Sequence, residues 1–406
     1  VPGRASHGYH LVKYALIVGD GMADRPVPEL GGKTPLQAAK KPNMDRLAQE
    51  GIVGLSRTCP PKMSPGTEIC MFAVMSYDPA KYFRGRGPLE ALGLGIELKK
   101  SEVAFRCNLI TVKGDLLADF SAGHISDGEA KALIQMLDKR LGAEEIRFHP
   151  GVSYRHLMVW RGGSDEVKST PPHNIVGQPW KAHVPKGKGE AKLLQLMEDS
   201  RVLLDGHEVN RARRAKGLNS ANMIWLWSPG RTPTVPNFKD KYGVTGGVIS
   251  AVDVVRGIGV LAGLEIIRVP GATGYFDTDY QAKGAAAVKL LKTADFALVH
   301  VEAPDEAGHE GLVQEKIKAI EQMDEKILGP LLKAQPKLGD LSILLMPDHP
   351  TPVTVKGHVD DPVPFALWRS NAPQAGPATY DEETAKSGAL QIEEGFRTLD
   401  HLFGVK

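Results

Sequence analysis

Cysteine is scarce in this chain of 406 residues: Cys59, Cys70 and Cys107 are odd in number and show no CxxC spacing. That excludes a disulfide framework and a structural zinc ribbon, and it fits a reducing cytoplasm. Net charge is nearly absent as well. Lys plus Arg number 50 and Asp plus Glu 48, leaving +2, with neither a basic field for nucleic acid nor an acidic tail. No apolar run approaches the roughly 18 residues of a membrane span, and residues 1–13 lack the apolar segment of a signal peptide. The opening VPGRASHG is read as foreign to the fold and set aside. With 42% hydrophobic and 24% charged residues the composition is that of a folded protein. The expectation is a cytoplasmic chain without nucleic-acid or membrane partners; its oligomeric state leaves no trace in the sequence.

What is abundant is glycine and proline, 44 and 29 residues, and they do not fall in low-complexity runs. Tyr14 to Val18 is a short apolar run of the kind buried on both faces of a parallel sheet, and it ends at Gly19-Asp20-Gly21. Thr34-Pro35 reads as N-cap and N1 of a helix, and Asn43 opens another that Gly51 closes. The strand pattern returns at Phe296 to Val301, which leads to Asp305, and at Leu341 to Met346, which leads to Asp348-His349. Between the early and the late segments, apolar runs at Leu157 to Trp160 and Met223 to Trp227 alternate with Gly, Pro and Lys-rich connections. A helix over Val248 to Leu261 and a strand over Glu265 to Val269 follow. This order predicts an α/β core with a mostly parallel sheet flanked by helices, interrupted by a smaller α+β domain: core over 14–85 and 245–406, insertion over 86–244.

In an open α/β sheet ligands bind beyond the carboxyl ends of the strands, where Asp20, Asp305 and Asp348 are all expected. Buried carboxylates gathered there need a compensating cation. Histidine accompanies them: Asp305 and His309 have i, i+4 spacing, Asp348 and His349 are adjacent, and His358 follows nine residues later. Three carboxylates and three imidazoles suffice for two divalent ions. Two ions about 3.5 to 4 Å apart form the usual clamp for displacement at phosphorus, so the set points to phosphate chemistry.

In Lys62 to Glu68 a Pro-Gly turn precedes Thr67 at the start of an apolar helix, an anion-binding position. A metal-activated hydroxyl there can accept a phosphoryl group, and Thr67 and Ser64 both qualify. Arg84, Arg86, Arg106 and Arg155 are the candidate guanidinium groups for substrate carboxylate or phosphate. His124, in a small-residue loop, is a candidate acid, base or substrate contact. Two nucleotide motifs fail. Gly31-Gly32-Lys33-Thr34 lacks the first P-loop glycine, Val27 standing in its place, and Gly257-x-Gly259 lies within a helical segment, so no nucleotide cofactor is expected.

From Tyr14 onward the chain resembles the archaeal-type, 2,3-bisphosphoglycerate-independent phosphoglycerate mutases of the alkaline phosphatase superfamily. The resemblance rests on GDGMADRP at Asp20, GKTPLQAA, KPNMDRLAQEG, SPGTE at Thr67, GRGPLEALGLGIEL, FRCNL, GVSYRHL, HVEAPDEAGHEG, PDHPTPV and KGHVDDPVPF. It implies an alkaline-phosphatase-like core with an inserted substrate-binding domain, and two divalent cations, manganese ahead of zinc, cobalt or magnesium. By motif, Asp305, His309 and His358 would hold one cation, and Asp20, Asp348, His349 and the Thr67 hydroxyl the other. The implied reaction interconverts 3-phosphoglycerate and 2-phosphoglycerate through phosphorylated Thr67, with the arginines and His124 on a small phosphorylated hydroxy acid. The chain departs from the family in Thr67-Glu68 for Ser-Asp, in His124 for an arginine and in SYDP for GYDP. A phosphatase, or a homoserine-kinase-like phosphotransferase, would use the same core.

Overall fold

The computed structural model describes residues 12–405, so the opening VPGRASHG lies outside the described residues. The chain divides into two compact units: one of residues 12–83 with 234–405, and one spanning Arg84–Pro233.

The first unit is built on an eight-stranded sheet of β1 (Lys13–Gly19), β2 (Ile52–Ser56), β3 (Gly246–Ile249), β4 (Glu265–Ile266), β5 (Phe296–Val301), β6 (Leu341–Met346), β7 (Val363–Arg369) and β8 (Leu390–Ile392). Their order across the sheet is β4-β3-β5-β1-β6-β7-β2-β8. Only β7 runs against the rest. β5 and β6 are buried at every residue, as apolar runs between two helical layers must be. Register then decides where the acids go. Gly19 lies opposite Val301 and Val18 opposite Met346, so β5 and β1 end level with β6 stopping one residue earlier, and the three strands release Glu302, Asp20 and Pro347-Asp348 at the same edge of the sheet.

Local sequence accounts for the helix starts. Thr34 accepts from the Gln37 N–H and the Gln37 side chain returns to the Thr34 N–H, closing a capping box ahead of Pro35. The next helix, Pro42–Gln49, differs from expectation: Lys41 is its N-cap, because Pro42 is preset for the first helical position. Asn43 instead bonds Asp324. The expected helix over Val248 to Leu261 is also corrected. Val248 and Ile249 belong to β3, paired in register with Leu298 and Val299, and the helix begins only at Asp253. A two-sided buried strand and a buried helix give the same apolar run, and the pairing partner settles which forms.

The second unit carries an antiparallel sheet around the long strand Glu102–Lys113, which pairs with Leu116–Asp119, Arg155–Arg161 and Met223–Gly230, while Ile146–His149 pairs with Arg155–Arg161. The helices Asp127–Leu141 and Glu190–Asp205 bury Leu133, Leu137, Leu193 and Met197 in its core with Phe105, Met158, Trp180 and Trp225. Residues 234–244, expected in the insertion, lie in the first unit: Phe238 packs its ring against Phe296 at 5.2 Å and Phe403 at 6.1 Å. Among the described residues no helix is long and apolar enough to cross a membrane.

Candidate metal and phosphoryl-transfer site

Asp20, Asp348 and His349 are each 0% exposed and converge beyond β1 and β6. The His349 Nε2 lies 3.2 Å from Asp20 Oδ1 and 3.5 Å from Asp348 Oδ2. These three atoms have no hydrogen-bond partner although all are buried. The tautomer explains why. The Thr351 hydroxyl donates to Asp305, so it accepts from His349 Nδ1 at 3.2 Å, and the His349 Nε2 therefore presents a lone pair to two carboxylate oxygens. Burial holds that imidazole neutral, its pKa down at about 3. Burial and the charge of Asp348 push the Asp20 carboxyl well up, and burial lifts that of Asp348 to about 7. A lone pair and two carboxylates facing one point fit a divalent cation.

The second group forms on the helix Ala303–Glu310, whose turn carries Asp305 and His309 on one side, with His358 arriving from a loop. Asp305 lies 3.3 Å from His309 Nε2 and 3.5 Å from His358 Nε2. The two Nε2 atoms are only 2.9 Å apart. Each imidazole sets its Nδ1 against a backbone carbonyl, Lys356 O for His309 and Pro65 O for His358, both at 3.3 Å. A carbonyl only accepts, so hydrogen sits on Nδ1 and both Nε2 atoms turn toward Asp305, the arrangement of metal-ligating histidines. Between two such nitrogens something positive must sit. Burial opposes a charge on these rings, yet the Asp305 carboxylate outweighs it and raises His309 to about 9 and His358 above its usual value. These groups fit divalent cations on their own chemistry.

Thr67 is buried at the first position of the helix Thr67–Val74, its Oγ1 3.3 Å from Asp20 Oδ2. Ser64, the other hydroxyl considered, is exposed. The substrate candidates all lie in the second unit. Arg86 and Arg106 both pair with Glu90, Arg86 at 2.7 Å, and Arg106 lies over the Trp227 ring. Arg155 stands opposite Asn108, which accepts from Arg106, and adds its charge to those around Glu90. Burial pulls the Arg106 guanidinium down to about 10. His124 is exposed, has φ 48°, and sets its ring edge-on to Tyr154. Arg84 is exposed.

Sequence reasoning missed Thr351, which links the two groups, Glu90, which gathers the arginines, and His300. The last was visible as the one polar residue in the run Phe296 to Val301. Asp20, His300 and Glu302 make a third group with metal-ligand geometry.

Fold and site together define an α/β protein with two adjoining carboxylate–imidazole groups, suited to divalent cations, beside a helix-borne hydroxyl. A sequence model of the family described as 2,3-bisphosphoglycerate-independent phosphoglycerate mutase matches residues 48–210. A protein of Geobacter sulfurreducens named a probable mutase of that kind is 48% identical over 394 residues, covering 96% of this chain and 99% of its own. One of Methanosarcina acetivorans with the same activity in its name is 49% identical, covering 94% and 97%. Among solved structures, a Pyrococcus horikoshii protein superposes with TM-score 0.81 at 28% identity over 97% of both chains. The cofactor-independent phosphoglycerate mutase of Thermoplasma acidophilum superposes with TM-score 0.65 at 28% identity, over 97% of this chain and 99% of its own. The chain belongs to the 2,3-bisphosphoglycerate-independent phosphoglycerate mutase family.

Proposed function

We propose that this protein is an isomerase that interconverts 3-phosphoglycerate and 2-phosphoglycerate through a phosphorylated Thr67. The observation that carries the reading is the buried Thr67 hydroxyl at a helix N-terminus, 3.3 Å from Asp20 Oδ2 and adjoining two groups of cation-seeking atoms. Family membership supports the substrate.

Asp305, His309 and His358 would hold one divalent cation, and Asp20, Asp348, His349 and the Thr67 hydroxyl the other. Bound there, such ions neutralise phosphoryl oxygens and favour the alkoxide of a coordinated hydroxyl. The chain's own atoms do the rest. The Thr67 O–H is directed at Asp20 Oδ2, so its proton leaves along that hydrogen bond as the oxygen attacks phosphorus. The bond from phosphorus to the substrate O3 breaks, and O3 takes up the proton that the glycerate's own O2 hydroxyl gives up, while the proton at Asp20 stays to restore Thr67. The helix N-terminus favours the anionic phosphoryl group on Thr67. The glycerate O2 then attacks that phosphorus, the bond to Thr67 Oγ breaks, and the hydroxyl is restored. Arg84, Arg86, Arg106 and Arg155, with His124, are the candidate holders of the substrate's carboxylate or phosphate.

The test is a coupled assay with enolase after chelation and resupply of manganese, zinc, cobalt or magnesium, run beside a release assay for inorganic phosphate. Formation of 2-phosphoglycerate is expected, with Thr67→Ala losing both turnover and the acid-stable phosphoenzyme label. Phosphate release without 2-phosphoglycerate would replace the mutase by a phosphatase of the same core.

A further inference from the structure

His300 sits in β5 at 0% exposure, in a strand otherwise wholly apolar. Its Nε2 is 3.0 Å from Asp20 Oδ2 and its Nδ1 3.3 Å from the Ser250 hydroxyl. Ser250 is itself engaged from the other side: its Oγ accepts from the Val252 N–H at 3.0 Å, which turns the hydroxyl hydrogen toward the imidazole. With a cation on Asp20 the carboxylate is ionised and has no proton to give, so Nε2 carries the hydrogen and Nδ1 accepts from Ser250. Lys283, 0% exposed, donates to the His300 carbonyl at 3.0 Å and steadies the backbone of the same residue.

We propose that His300 is the positioning residue for Asp20. Along the chain Val252 N–H, Ser250 O–H, His300 Nε2–H, it holds Oδ2 and leaves Oδ1, the atom without a protein partner, as the cation-facing oxygen. The same bond fixes the rotation of the oxygen to which the Thr67 hydroxyl donates, since His300 and Thr67 share Oδ2. His300 then acts through Asp20, and with its hydrogen committed to an anionic oxygen it is not itself a ligand in the third group. The role rests on the cation site of the reading above and not on the identity of the substrate.

The experiment is a manganese titration of the purified, chelator-stripped full chain by calorimetry, on the parent and on His300→Phe, His300→Gln and Ser250→Ala. Two binding events are expected for the parent. His300→Phe weakens one of them about 10- to 100-fold, the range for loss of an outer hydrogen bond to a ligand, and leaves the other unchanged. His300→Gln, whose amide N–H reaches the position of Nε2, stays within roughly threefold of the parent, which a packing role for the ring does not predict. Ser250→Ala falls between them and tests the same chain of hydrogen bonds without touching β5, so it decides if the phenylalanine variant does not fold. Parental affinities in Ser250→Ala and in a folded His300→Phe overturn the proposal, as does a glutamine variant as weak as the phenylalanine one. A parent that binds no manganese overturns the cation reading underneath it. A parent that binds two but does not turn over 3-phosphoglycerate overturns only the proposed substrate.

Discussion

Gly21 follows Asp20 with φ +58°, and a methyl group there is the smallest perturbation that reaches the site without altering a candidate ligand. A Cβ at that position would lie 2.6 Å from Thr351 Oγ1 and 2.8 Å from the Asp305 Cα, with Asp305 Oδ1 nearer still. Two costs combine in Gly21→Ala. The left-handed backbone costs an L-residue about 1–2 kcal/mol. The clash adds about 1–3 kcal/mol, because a backbone carbon cannot swing aside as a side-chain tip can. Together they make about 2–5 kcal/mol, which for a unit of this size lowers Tm by roughly 10 °C. Gly31→Ala separates the two effects: its φ is +66° but nothing lies within 4 Å of the added carbon. It should cost only the backbone term, about 1–2 kcal/mol. Calorimetric melts of both variants, with manganese titrations, make the comparison. Gly21→Ala should melt below Gly31→Ala and bind cation more weakly, since Asp305 and Thr351 are displaced. Equal Tm values and unimpaired cation binding in Gly21→Ala would refute the reasoning.

Chelation should lower Tm and manganese restore it, because Asp20 Oδ1, Asp348 Oδ2 and His349 Nε2 are buried without partners. Each site at a hundredfold excess over Kd contributes about 2.7 kcal/mol, and a melt indifferent to chelator would count against both cation groups. Lys316, 0% exposed, donates to Asp24 at 2.7 Å and to the carbonyls of Ala23 and Thr351. Lys316→Met strands a buried carboxylate and should cost about 3–5 kcal/mol in urea unfolding; a loss below about 1 kcal/mol, an ordinary surface pair's worth, would contradict that. His156 is buried in the second unit, Nδ1 accepting from the Gly151 N–H at 3.0 Å, and burial holds its pKa down at about 3. The unfolded chain therefore takes up a proton near pH 6.5 that the folded chain refuses until about pH 3. Stability from this group is present above pH 6.5 and drains away as pH falls through that window, by up to about 1.4 kcal/mol per unit. His156→Asn keeps an acceptor for Gly151 and should flatten the slope in tryptophan-fluorescence melts; an unchanged slope would remove His156 as its source.

Much of the fold was legible because its signals are local. Apolar runs such as Leu341 to Met346 need two-sided burial wherever they are placed, and Thr34-Pro35 starts a helix through its own cap. Local pattern failed where two environments share one signature: Val248-Ile249 reads as helix or strand until Leu298 and Val299 are alongside. The acids at the strand exits were legible as a set. Thr351 and His300 were not read, because their roles depend on partners as far off in sequence as Asp305 and Asp20.

By itself the sequence determined which atoms were available: three carboxylates after apolar strands, imidazoles spaced to join them, a hydroxyl behind a Pro-Gly turn, and glycines where the chain must bend closely. Only the tertiary structure decided how they combine. The parallel register of β5, β1 and β6 brings the strand ends to the same edge of the sheet, and hydrogen bonds to Thr351, Lys356 O and Pro65 O choose which imidazole nitrogen is bare. Pairing and tautomer depend on distances across the fold, and those no local stretch of chain can encode.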